Sequence, residues 1–184
     1  RRGGEPLAKY VATGVDISQF NGDVDIAGLR GQVDFAILRC GYGSDYSSQD
    51  DAQYQVNVRK CEAAGMPYGV YLYSYARNTD MARSEARHTL RLLQGKRPLY
   101  GVWYDVEDVA LPTGQQLIDD CVTYCTELEK NGYYCGIYSS LDWWRNRLNS
   151  PALDRFDKWV AQWNDTLDSR GPVCGSIPIV GSLT

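Results

Sequence analysis

The chain has 184 residues and a formal net charge of −4, with 43% hydrophobic and 23% charged residues, the balance of one globular domain rather than a disordered chain. The acidic excess argues against a nucleic-acid partner, which needs a basic stripe, and a single histidine, His88, rules out a His-rich metal site. No run approaches the roughly 20 apolar residues of a membrane helix.

Residues 1–12 carry no recognisable signal peptide. They are set aside as a linker, a processed terminus or an expression remnant, and residues 13–184 are taken as one domain. The aromatic complement is skewed, with 14 Tyr and 5 Trp against 3 Phe. Tyr and Trp combine a flat apolar body with a polar tip, which suits sugars as well as protein interfaces. The six cysteines include no CxxC pair, which argues against a zinc site. Each is expected to be a small buried hydrophobe, with disulfide pairing left open.

In chain order, the first predicted strand is Gly14–Ser18 and the second is Phe35–Cys40. Asp50 and Asp51 place negative charge where a helix start favours it. That helix runs through Tyr54, Val58 and Cys61 and stops at Gly65. A third strand spans Tyr68–Ser74. A helix then begins at Asn78 or Thr79, turns Ala82, Ala86, Leu90 and Leu93 inward, and ends at Gly95. His88 falls off that apolar stripe and is expected to face solvent. The fourth strand is Gly101–Glu107. Thr113 and Gln116 have capping-box spacing ahead of a helix carrying Leu117, Cys121, Tyr124 and Leu128 on one face, stopped by Asn131–Gly132. Strands Tyr133–Tyr138 and Trp159–Trp163 follow. Near-continuous apolar runs such as FAILRC indicate strands covered by helices. Repeated strand–helix units predict a parallel sheet with right-handed crossovers. The length falls short of the roughly 250 residues of a full eight-fold barrel, so a trimmed barrel is expected. No glycine-rich phosphate loop follows the first strand.

The strongest chemical signal is WYDVEDV, residues 103–109. Asp105 and Glu107 are two apart on a predicted strand, so their side chains leave on one face. Like charges this close raise one carboxyl's proton affinity, which divides an acid from an ionised partner. The flanking Trp103, Tyr104 and Val106 favour a buried strand over a solvated acidic loop. Asp108 is expected to point the other way or into the following loop. Asp16 lies at another strand end, the position that lines the active face of a barrel. Tyr71, Tyr73 and Tyr75 alternate along YLYSY. No GxSxG elbow is present, and no cysteine has a histidine in motif context.

Taken in order, GVDISQFNGDVD, FAILRCGYG, AGMPYGVYLYSYA, YDVED, YCGIYSS and KWVAQWN resemble glycoside hydrolase family 25 over roughly residues 13–165. These are lysozymes that cleave the β-1,4 bond from N-acetylmuramic acid to N-acetylglucosamine in peptidoglycan. The resemblance implies a compact α/β barrel with about eight strands and about five helices, and a C-terminal strand that is short or incomplete here. It implies Glu107 as general acid/base, Asp105 as its carboxylate partner and Asp16 as a further active-site carboxylate. Either Tyr73 or Tyr75 matches the family's active-site tyrosine. Substrate contacts are expected from Tyr73, Tyr75, Tyr138, Trp163 and Arg39. The resemblance also implies retention of configuration, with the substrate's acetamido group as nucleophile. It further implies no cofactor or metal, a monomer secreted or released to act on the cell wall outside the cell, and peptidoglycan as the partner, with neither nucleic acid nor membrane.

The C-terminal stretch VCGSIPIVGSLT departs from the family pattern, which continues into W-Q-Y and G-x-V-D-x-N. If IVGSLT is the matching stretch, Thr184 stands where an active-site Asp is expected. The alternative reading is therefore a catalytically impaired barrel that binds wall carbohydrate. A chitinase-like barrel is disfavoured because the D-x-x-D-x-D-x-E strand is absent.

Overall fold

The computed structural model describes residues 12–161. Six strands form one parallel sheet in sequential order: β1 (Gly14–Ile17), β2 (Phe35–Tyr42), β3 (Tyr68–Tyr73), β4 (Val102–Asp105), β5 (Cys135–Ser140) and β6 (Asp157–Ala161). The five α-helices are α1 (Ile26–Leu29), α2 (Tyr54–Ala64), α3 (Thr79–Leu92), α4 (Gln115–Lys130) and α5 (Leu141–Asn146). The sheet curls into a half-barrel, an α/β fold of the expected reduced kind. Six strands stand among the described residues where about eight are expected. Trp163, Cys174, Thr184 and the expected C-terminal strand lie outside the described residues.

Strand alternation divides the side chains between two faces. Leu38, Val70, Leu72, Val102, Tyr104 and Ile137 enter the main core beneath the helices, each at most 1% exposed. Phe35, Ile37 and Trp103 point to the other face and pack with Tyr71, Tyr100 and Trp159. This inner layer is tight. A Cβ on Gly136 would lie 2.5 Å from Trp103 Cζ3, so only glycine leaves room for the indole there.

Several boundaries differ from those predicted. β4 ends at Asp105, so Glu107 sits on the loop beyond it rather than in the strand. The next residue, Val106, still donates its N–H to Tyr138 O at 2.9 Å, which holds the loop's start against β5. β5 begins two residues later than predicted, because Tyr133 turns to the helix side and donates its hydroxyl to Leu93 O at 3.1 Å. β6 begins two residues earlier than predicted, and its predicted end at Trp163 lies outside the described residues.

The helix ends follow the local signals with one exception. Asn78 caps α3, its Oδ1 accepting the Met81 N–H at 2.9 Å, and Gly65 closes α2 in the left-handed region with φ of 63°. The Thr113–Gln116 box does not form. The cap position falls on Gly114, which makes Gln116 the second helical residue instead of the third, and its amide donates to Asp120 Oδ1 instead. All five cysteines among the described residues are buried and free.

His88 is the clearest correction. It is fully buried. Its ring nitrogens lie 3.0 Å from Gly43 O and 2.8 Å from Asp50 Oδ1. Arg91 closes the cluster with bonds of 2.7 and 3.0 Å to Asp50 and one of 2.8 Å to Asp45. The face of α3 beside its apolar stripe thus meets the loop leaving β2, whose backbone groups require polar partners.

Candidate active site

The inner face turns polar at the C-terminal ends of the strands, where loops open the barrel and catalytic groups gather. β1 brings Asp16, β2 brings Arg39, β3 brings Tyr71 and Tyr73, β4 brings Asp105, and β5 brings Tyr138. Pairing sets their relative heights: Arg39 lies opposite Tyr71, and Asp105 lies between Tyr73 and Tyr138.

Three carboxyls feel one another's charge. Asp105 is held well above the usual carboxylate range, first by burial, then by the charges of Glu107 and Asp16, with Arg39 opposing. Its Oδ1 is buried and has no hydrogen-bond partner among the described residues. Asp16 is raised to about 6, chiefly by burial, while a hydrogen bond from the Tyr71 hydroxyl and the charge of Arg39 pull it down. Glu107 is exposed at the mouth and is raised by partial desolvation and then by Asp108. The family resemblance makes Glu107 the general acid/base and Asp105 its carboxylate partner. In the structure Asp105 is raised as well, because it sits buried at the strand end under the loop that carries Glu107.

Arg39 is the positive charge of the site. Its Nε lies 3.3 Å from Asp51 Oδ2. Asp51 is itself fixed by N–H donors from Gln19 at 3.0 Å and Gln53 at 2.9 Å. The guanidinium carbon stands 4.9 Å from the Phe20 ring centroid and 5.4 Å from that of Tyr42. Aromatic contacts continue along the rim, with Tyr42 and Tyr75 centroids 6.0 Å apart and Tyr73 and Tyr75 centroids 5.2 Å apart. Tyr73 donates its hydroxyl to Asp108 Oδ2 at 3.3 Å, so Asp108 belongs to the loop as expected and also touches the rim. On the far side Tyr138 meets Trp159 edge-on at 4.7 Å.

Asp16, Asp105, Glu107, Arg39, Tyr73, Tyr75 and Tyr138 therefore all border one open face, whereas Trp163 lies outside the described residues. Sequence reasoning missed Asp51, Phe20 and Tyr42. Asp51 reads locally as a helix-start charge, and only the fold brings it against Arg39. Phe20 and Tyr42 lie in the quoted motifs but have no spacing signal of their own. Among the described residues no group of three His, Cys, Asp or Glu side chains is arranged to hold a metal ion, and no helix is long and apolar enough to cross a membrane.

Residues 15–177 match the profile of glycosyl hydrolases family 25. The chain belongs to that family. No curated protein matches it. Among solved structures, this family 25 chain is similar to the modular autolysin LytC from Streptococcus pneumoniae, with 28% identity and a TM-score of 0.76, over 89% of this chain and 40% of LytC. The chain thus spans well under half the length of that relative. LytC has also been solved with a synthetic peptidoglycan ligand. The same fold recurs in the catalytic domain of endolysin ply40 from bacteriophage P40 of Listeria monocytogenes, at 21% identity and a TM-score of 0.71 over 90% of this chain and 82% of that one. It recurs again in a muramidase from Trichobolus zukalii, at 17% identity and a TM-score of 0.69 over 91% of this chain and 81% of that one.

Proposed function

We propose that this family 25 chain is a peptidoglycan hydrolase that cleaves the β-1,4 bond between N-acetylmuramic acid and N-acetylglucosamine. The observation that carries the reading is the set of neighbouring carboxyls on the polar end of one barrel face, where Asp105 is buried, Asp16 is partly buried and Glu107 is exposed at the mouth. Glycoside cleavage needs one carboxyl to protonate the leaving oxygen and another negative group to support the developing cation. Glu107 is the group a glycan reaches first, and desolvation raises its proton affinity, as a general acid requires. Asp105 Oδ1, buried and short of a donor, is suited to accept the N–H of the substrate's 2-acetamido group. That contact would orient the acetamido oxygen toward the anomeric carbon. The glycosidic bond then breaks as the oxygen attacks, and Glu107 gives its proton to the departing sugar. Water, deprotonated by Glu107, opens the cyclic intermediate with net retention. Asp16 and Arg39 set the field around the pair, and Tyr73, Tyr75 and Tyr138 offer stacking faces and hydroxyls to the sugars. A monomer acting on the wall outside the cell fits this reading.

The test is turbidity clearing of purified bacterial walls, followed by identification of the new reducing end. Glu107→Gln keeps the shape but cannot donate as an acid, so it should lower the rate by at least about 10²-fold, the low end of general acid catalysis. Muramic acid should be the reducing sugar released by the parent. A parent that binds walls without clearing them would overturn this reading in favour of an impaired wall-binding barrel.

A further inference from the structure

Glu85 on α3 is fully buried, and it forms no ion pair among the described residues. The mechanism above does not use it. A buried carboxyl without a cation is costly unless its oxygens collect several donors, and here they do. Oε1 accepts the backbone N–H of Tyr75 at 2.8 Å. Oε2 accepts the hydroxyl of Tyr104 at 2.6 Å and that of Ser74 at 2.9 Å. Ser74 Oγ in turn accepts the Ala76 N–H at 3.2 Å.

These partners are not scattered. Ser74 and Tyr75 are the first residues beyond β3, between Tyr73 and the loop. Tyr104 immediately precedes Asp105 in β4. One carboxyl therefore ties the exit of the tyrosine strand to the strand that carries the buried acid. A direct bond from Ser74 N to Asp105 O at 2.9 Å runs beside it. Tyr104 is further fixed by stacking on Tyr124 of α4, with centroids 3.8 Å apart. The groups that face Glu85 are thus Ser74 and Tyr75 from the β3 exit, Tyr104 from β4, and the charge of Asp120 from α4. Burial raises the Glu85 carboxyl to about 7, against the pull of its three donors.

We infer that Glu85 is a positioning residue that sets the placement of Tyr73 and Tyr75 relative to Asp105 by anchoring the β3 exit to β4. The inference rests on the glycan-cleaving reading for its activity consequence only. Substrate-facing tyrosines displaced by an ångström lose binding and orientation, while Glu107 keeps its own surroundings.

The test uses the full chain and compares Glu85→Asp, Glu85→Gln and Glu85→Ala. Aspartate keeps the charge but is one methylene too short to reach Tyr75 N and Tyr104 Oη together. Glutamine keeps the length and can still accept from Tyr75. Hydrogen exchange at the Tyr75 amide should speed at least tenfold in Glu85→Asp and Glu85→Ala and remain within about threefold in Glu85→Gln, with Ala36 and Ile137 amides unchanged as core controls. On peptidoglycan, Glu85→Asp should raise KM at least tenfold and leave the pH limbs of kcat unmoved, with Glu85→Gln restoring most of the loss. Unchanged Tyr75 exchange in a folded Glu85→Asp overturns the inference, as does a Glu85→Gln variant impaired as severely as Glu85→Asp. If Glu85→Ala does not fold, the other two variants decide. If the parent cleaves no wall, the hydrolase reading fails, and the Tyr75 exchange comparison still decides the positioning role.

Discussion

Asp105, Glu107 and Asp108 show how position along four residues divides the work of one acidic cluster. Asp105 closes β4 and is buried, Glu107 stands in the loop above it, and Asp108 turns to Tyr73. The charge of Asp108 is what raises Glu107 after desolvation. Asp108→Asn should therefore lower the proton affinity of Glu107 and move the alkaline limb of the pH–rate profile to lower pH. A profile of kcat/KM on soluble glycan fragments reads the shift. Arg39 acts in the opposite sense, since its charge lowers both Asp16 and Asp105. Arg39→Gln should raise both, so any limb that requires an ionised carboxyl moves to higher pH in the same measurement. The same substitution strips Asp51 of its ion pair while leaving the donors from Gln19 and Gln53 in place.

At the scale of an element, α3 is a brace rather than a simple cover. Its apolar residues Ala82, Ala86 and Leu92 enter the core. Glu85, His88 and Thr89 are buried on the adjoining face and hold, in turn, the β3–β4 exits, the loop after β2, and Tyr124 of α4. His88 packs so closely that a Cβ on Gly41 would stand 2.9 Å from its Cε1 and 2.6 Å from Gln49 O. That absence of room coincides with the register irregularity between Arg39 and Gly41 in β2. His88→Ala leaves a cavity and strands the acceptors it served, so it should cost about 2 kcal/mol or more. Asn78→Ala, which removes only the cap of the same helix, should cost about 1 kcal/mol. Urea denaturation followed by circular dichroism measures both, and a smaller loss for His88→Ala than for Asn78→Ala would contradict the bracing role.

For the molecule as a whole, buried acids tie stability to pH. Burial raises Asp16 and Asp120 from 3.8 to about 6 and Glu85 from 4.5 to about 7. Through that window the folded chain holds protons that the unfolded chain has released. Stability therefore falls as pH rises from about 4 to about 7. Asp50, which is lowered by its bonds to Arg91 and His88 against the effect of burial, works in the other direction only below its ordinary range. Thermal melts should give a higher midpoint at pH 5 than at pH 8. Glu85→Gln carries no titrating carboxyl at that position and should flatten this dependence, which the same melts would show.

Most elements of the sheet and its helices were legible from residues in sequence. Apolar runs such as FAILRC must be covered on both faces, and Gly65 and Asn78 end or begin helices through backbone conformation and capping that act within a few residues. The acids at strand ends were legible for the same local reason, since side chains alternate along a strand. The family's motifs added roles that no periodicity carries. What the tertiary structure decided was every property that depends on a distant neighbour. His88 reads as a surface residue along its helix, yet it is buried because the loop after β2 crosses above it. Asp51 reads as a helix-start charge but holds Arg39, which lies on another element. Glu85 has no motif, and only the meeting of α3 with the ends of β3 and β4 gives its carboxyl three donors. The burial of Asp105 and the exposure of Glu107 follow from where β4 ends. Local rules act over a few residues, whereas burial and charge act through space, and the fold alone sets which groups are near.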